Sequence, residues 1–195
     1  MSELANRSQK SEEDTEKPNA IALSIAGMMQ GLGSGEMATL RRLDRDATAP
    51  AYWRFAARHC KLETQRDVWV PIVQALALLM PKGPPEERSD LNDPNRPLGL
   101  TLCDGGHNDW PAPGDTPRPV FSEQRLARLL AARGLQRRVL LLRAVRMLAA
   151  KRDPGVGIDV GDLARCFVDS DPRRLAAPYY RRLDRAERVA QEATI

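Results

Sequence analysis

Three groups of residues in this chain have types and spacings that could do chemistry. The largest is a run of cations. Between Gln124 and Arg152 there is no Asp or Glu, whereas Arg125, Arg128, Arg133, Arg137, Arg138, Arg143, Arg146, Lys151 and Arg152 are all basic. Like charges three or four residues apart on a helix repel by about 0.2–0.5 kcal/mol per pair. Such a run therefore calls for negative charge from outside, and phosphate is its commonest source. Arg41-Arg42 precede the run, and Arg165, Arg173, Arg174, Arg181 and Arg182 follow it. Guanidinium is suited to bidentate phosphate contact. Zinc-finger, homeodomain and RNP patterns are missing, and aromatics are too sparse in the basic half for a stacking platform. Tracking of a nucleic-acid backbone by charge is the chemistry these residues suggest.

The second group is His59-Cys60 with Cys103-x-x-x-His107, and the overlapping set Asp104, His107 and Asp109. Adjacent His and Cys rarely reach one tetrahedral ion, and the paired-cysteine spacing of structural zinc sites is lacking. Metal-assisted hydrolysis needs several convergent ligands, and a second acidic or histidine cluster does not accompany this one. The expectation is no metal, with Cys60 buried and His107 exposed in a loop. The third group, Gly31-x-Gly33-x-Gly35, has the look of a phosphate loop. It follows a helical pattern rather than a strand, and Lys-Ser or Lys-Thr does not come after it, so it is expected to be a turn. With neither a nucleophile elbow nor a reactive Cys–His signature, the sequence suggests no enzyme and no cofactor.

The elements that must position these residues are helical. Ala, Leu and Arg are abundant, while Val, Ile and Thr are sparse and aromatics make up 5%; that bias favours helices. Apolar spacing places helices at Ile21–Met29, Glu36–Leu43, Thr48 (as cap) to Cys60 and Gln65–Met80, the last started or kinked by Pro71. Residues 81–119 hold nine of the fifteen prolines and five glycines, with a single helical turn at Leu98–Leu102. Beyond them, Ser122 caps a helix to Arg133, with Phe121 and Leu126 as a hydrophobic staple. Leu135–Arg152 is apolar in nearly every direction and belongs at the centre of a bundle. Asp159 caps the next helix, with Ile158 and Leu163 as its staple, and Asp171-Pro172 opens a last one through Tyr180 to about Ala190.

The fold class is therefore all-α, as two small bundles joined by a Pro/Gly-rich loop. The expected divisions are a disordered acidic tail (1–19), an N-terminal bundle (20–81), the loop (82–119) and a basic C-terminal bundle (120–195). Net charge is +4, yet residues 118–188 carry 17 basic against 8 acidic side chains, a local +9. Cys60, Cys103 and Cys166 suggest no disulfide framework, and the longest apolar stretches are too short to span a bilayer. A soluble cytoplasmic protein is expected.

The order of segments is similar to that of the CasB family, the small subunit of the type I-E CRISPR surveillance complex, Cascade. The resemblance rests on Thr39-Leu40-Arg41-Arg42-Leu43-Asp44, Pro50-Ala51-Tyr52-Trp53-Arg54-Phe55 and Leu98-Gly99-Leu100-Thr101-Leu102. It continues through Ser122-Glu123-Gln124-Arg125-Leu126-Ala127-Arg128-Leu129-Leu130, Leu142-Arg143-Ala144-Val145-Arg146, Ile158-Asp159-x-x-x-Leu163-Ala164-Arg165 and Tyr179-Tyr180-Arg181. It covers roughly residues 20–190. The family often has Trp where this chain has Val160, and a basic residue where it has Leu100. The resemblance implies a non-catalytic helical protein, present in two copies that pack against the backbone subunits and the large subunit around the crRNA. It further implies a basic surface that holds the target DNA and the displaced strand and so stabilises the R-loop. By position it points to Arg41, Arg42, Arg125, Arg143 and Arg165 as nucleic-acid contacts; the charge pattern adds Arg128, Arg138 and Arg146. The alternative is a free-standing helical adaptor that binds an acidic protein.

Overall fold

Apolar side chains at helical spacing produce ten α-helices in the computed structural model, which describes residues 17–112, 114–153 and 155–192. They are α1 (Pro18–Gln30), α2 (Ser34–Arg41), α3 (Pro50–Ala56), α4 (Lys61–Thr64), α5 (Arg66–Leu79), α6 (Leu98–Asp104), α7 (Glu123–Ala131), α8 (Gly134–Lys151), α9 (Val160–Val168) and α10 (Arg173–Glu192). Among the described residues, extended pairing is limited to one isolated bridge, Asn92 to Ile158. The all-α expectation holds. Residues 1–16 of the expected acidic tail lie outside the described residues, and Pro18 and Asn19 already begin α1.

Several boundaries differ from expectation for local reasons. The third helix starts with Ala49 at the cap and Pro50 at its first position, and ends at Ala56. Pro fits there because its missing N–H would have no helical partner in the first turn. Pro71 neither starts nor ends α5, which runs through it. Asp159 caps α9 as expected, its carboxylate accepting the Asp162 N–H at 2.7 Å. Ser122 occupies the cap of α7, but its side chain makes no capping bond.

Residues 82–119 are more than a tether. Their helix α6 is longer than the expected single turn and is buried along nearly its whole length, at Leu98, Gly99, Thr101, Leu102, Cys103 and Asp104. It packs mainly on α10. Contact is so close that a Cβ on Gly99 would stand 2.1 Å from the Leu175 carbonyl oxygen, so only glycine allows it. Upstream of α6, Leu91 accepts the Ile158 N–H at 2.8 Å and Asp93 donates to the Ile158 carbonyl at 3.0 Å, fastening the segment to the entry of α9.

The core runs across both expected boundaries. Buried side chains from Ile21 in α1 to Leu183 in α10 join one hydrophobic cluster that includes Leu91, Leu98 and Leu102. Helix α5 is its axis, packed on α1, α2, α4, α8 and α9. Helix α8 turns Leu141, Ala144, Val145 and Leu148 inward against α5, α6, α7 and α9. Its opposite side, with Leu135, Arg143 and Arg146, remains exposed.

Candidate nucleic-acid interface

Helices α7 and α8 form a hairpin through Ala132 and Arg133. Gly134 takes a φ of +52° at the bend, a left-handed conformation that glycine adopts without a Cβ clash. Leu126 and Leu129, three residues apart, face the core, which turns Arg125 and Arg128 outward. On α8, Leu140, Arg143 and Met147 share one stripe. The two helices enclose a cleft of about 320 Å³ lined by Phe121, Arg125, Arg128, Leu129, Leu140, Arg143, Ala144 and Met147. Arg125 Nη1 lies 3.4 Å from the Met147 sulfur. Arg146 is exposed one helical turn beyond Arg143. Among the described residues, no carboxylate pairs with Arg125, Arg128, Arg143 or Arg146.

Other cations of the run are engaged inside the molecule by backbone carbonyls. Arg133 donates to Leu130 O at 2.7 Å and to Ala132 O at 3.0 Å. Arg152 reaches Leu79 O at 2.6 Å, at the end of α5. Arg137 is 3% exposed and donates to Leu129 O at 3.4 Å, while its Nε and Nη2 have no partner. Helix C-terminal carbonyls carry partial negative charge, so a guanidinium can settle there without an acid. Burial holds the pKa of both Arg137 and Arg152 below the ordinary arginine value.

Arg138 has an acid partner, Asp67 Oδ2 at 2.5 Å, and also donates to Asp67 O at 3.3 Å. That carbonyl is available because Pro71, four residues on, has no N–H to claim it. This pair borders a second groove of about 600 Å³ between α5, α8 and the turn after α2, walled by Leu43, Val70, Pro71, Leu135, Val139 and Leu142.

The remaining expected contacts are scattered. Arg41 is half-buried and donates to Ala77 O at 3.0 Å; desolvation, then the nearby Arg88 charge, lowers its pKa. Arg42 is exposed just past the end of α2 and lines neither groove. Arg165 is half-buried on α9, its Nε unpartnered. Further on, Arg174 lies 3.6 Å from Asp162 and 3.3 Å from Asp169, and Arg173 pairs locally with Asp171 at 3.1 Å. Of the eight arginines singled out from the sequence, Arg125, Arg128 and Arg143 share one cleft and Arg146 adjoins it. Phe121, Leu140 and Met147 complete its walls. Of these the sequence marks only Phe121, in a hydrophobic staple, and no spacing distinguishes a cleft wall from a core face.

Asp104 is a structural hub and not an acid–base group. It is 1% exposed; Arg96 Nη2 lies 2.8 Å from both its oxygens, Arg182 Nε donates at 3.2 Å and the Gly106 N–H at 2.9 Å. With its lone pairs engaged, it has none to offer a metal or an attacking water. His107 is exposed, with Nε2 3.2 Å from Lys151 O. Among the described residues, no cluster of three or more His, Cys, Asp or Glu is placed to hold a metal ion. Cys60 is exposed rather than buried, because α3 ends before it; Cys103 and Cys166 are buried. The glycine turn is also resolved. Arg88 Nη1 donates to Met29 O, Gln30 O and Leu32 O at 3.1, 3.2 and 2.7 Å. It presents carbonyls to a cation, the reverse of a phosphate cradle.

No described helix is long and apolar enough to cross a membrane. One family model, described as CRISPR-associated protein Cse2, matches residues 36–191, a span that holds the whole α7–α8 cleft. No curated protein and no solved structure matches the chain.

Proposed function

Because the chain belongs to the CRISPR-associated protein Cse2 family, the CasB small subunit of type I-E Cascade, we propose that it is a non-catalytic subunit that holds single-stranded nucleic acid on the α7–α8 face. The contacts are Arg125, Arg128, Arg143 and Arg146. The observation that carries this is the rim of guanidiniums around one cleft with no carboxylate of the described residues to neutralise them. Arg41 and Arg138, bonded to Ala77 O and Asp67, contribute mainly to the fold, and Arg42 and Arg165, which do not line the cleft, stand outside the contact set. The bound strands are the target DNA and the displaced strand. The neighbours in the assembly are the backbone subunits, the large subunit, the crRNA and a second copy of this chain. Exchange of duplex for RNA–DNA heteroduplex is nearly balanced, so a few backbone contacts are enough to stabilise an R-loop.

The salt dependence of binding tests this. Four phosphates neutralised on a single strand give a slope of log affinity against log salt of about −2.8, or roughly a fifty-fold loss between 50 and 200 mM. Replacing Arg128 and Arg143 by Gln should reduce the slope to about −1.4, whereas Arg138→Gln should leave it unchanged. A slope near zero, or an Arg138→Gln effect as large as the others, overturns the assignment.

A further inference from the structure

A strand held by phosphates alone needs a flat basic surface, and this one has a hollow in it. The apolar lining of the cleft is Phe121, Leu129, Leu140, Ala144 and Met147; none of these offers a side-chain donor, and the one weak acceptor, the Met147 sulfur, is already taken by Arg125. The backbone there is also occupied. Phe121 O accepts the Tyr179 hydroxyl at 2.6 Å, the Phe121 N–H donates to Leu102 O at 3.0 Å, and Leu129 O takes Arg137. Apart from the three guanidiniums, phosphate has nothing to bind inside. An apolar, planar group does, and the hollow of about 320 Å³ reaches the range of small-molecule sites.

Taking the preceding assignment as its basis, we propose that the α7–α8 cleft accepts an unstacked nucleobase of the bound single strand. Arg125, Arg128 and Arg143 supply planar cations that stack on a base face or reach the phosphates on either side of it. Arg125 of α7 already lies 3.4 Å from the Met147 sulfur of α8, which brings a cation and a polarisable thioether together across the cleft. This arrangement does without the aromatic platform that the sequence lacks. The absence of free hydrogen-bonding groups on the floor makes the site tolerant of base identity. A duplex keeps its bases stacked and cannot fill it, so the cleft selects single strand.

The test compares two fluorescent single-stranded oligonucleotides of equal length, oligothymidine and a fully abasic chain with the same number of phosphates, titrated with the full-length protein. Oligothymidine should bind at least about tenfold more tightly, with the same salt slope for both probes. Met147→Ala and, separately, Leu140→Ala should shrink that ratio while leaving the slope unchanged; a thermal melt confirms that each variant folds. Equal affinities with a steep slope overturn the base site and leave the phosphate contacts standing. A ratio unaffected by both variants places the bases elsewhere and also overturns it. If neither probe binds at low salt, the phosphate assignment fails first and the base site with it.

Discussion

Replacing Asp104 by Asn removes one charge from the most tightly enclosed ionic site and leaves its shape. In the native protein that carboxylate faces Arg96, 11% exposed, and Arg182, 19% exposed. The amide neutralises neither, and two guanidiniums are left facing one another without a counter-charge. Removing one partner of a buried ion pair costs about 3–5 kcal/mol. The lower end applies here, because both arginines keep other acceptors. Arg182 retains Trp110 O at 2.6 Å and the Trp110 ring at 5.4 Å, and Arg96 retains Asn108 Oδ1 at 2.7 Å. A loss of about 3 kcal/mol lowers Tm by roughly 6–12 °C in a chain of this size. Melting followed by far-UV circular dichroism reads it directly. High salt should leave the deficit nearly intact, since enclosed charges are poorly screened. Adding Arg182→Met should recover part of it, as coupled neighbours are not additive. A fall of less than about 2 °C, or one erased by salt, refutes the assignment of Asp104 as a buried counter-ion.

Two further outcomes are expected. Burial raises the Asp162 carboxyl above its ordinary 3.8, outweighing its bond from the Leu98 N–H. The folded state therefore holds that proton more tightly than the unfolded chain does, and the resulting stability is present in acid and lost as pH rises through the raised value. In melts between about pH 3 and pH 6, the Tm of the native protein relative to Asp162→Asn should decline as pH increases, and a constant difference would refute this. For the cysteines, alkylation of the native protein at about pH 8 should label Cys60 alone. Burial pushes Cys103 up to about 12 and raises Cys166 well above the ordinary thiol value, so labelling of either before unfolding would contradict the packing.

The helices that were legible in the sequence are those with one wet side. Leu126 and Leu129 against Arg125 and Arg128 mark α7 unambiguously, and the Asp159 cap marks the start of α9. Helix α6 was seen only as a single turn, because it is wrapped on every side and amphipathic periodicity disappears when there is no solvent face. Its Asp104 reads as a loop residue until Arg96 and, from the far end of the chain, Arg182 are brought to it. Cys60 is expected to be buried, yet α3 stops at Ala56 and nothing in its neighbours' spacing signals the stop. The cation run was read from its lack of acids. That criterion misses carbonyl partners, and so could not separate Arg133, Arg137 and Arg152 from Arg128 and Arg143.

The same missing acids thus serve two purposes. Where the hairpin turns back on the core, the ends of α5 and α7 offer carbonyls, and an Arg placed there satisfies them while its stem packs against apolar neighbours. A carboxylate nearby would compete for the guanidinium and leave the carbonyls unpaired. Arg125, Arg128, Arg143 and Arg146 point outward instead, and among the described residues none of them bonds a carboxylate or a backbone carbonyl, so they remain available to a ligand. Total basic content therefore overstates the phosphate footprint of this subunit. The footprint is set by which arginines point outward without a carbonyl or carboxylate partner, and a salt slope that tracks four charges rather than nine would separate the two.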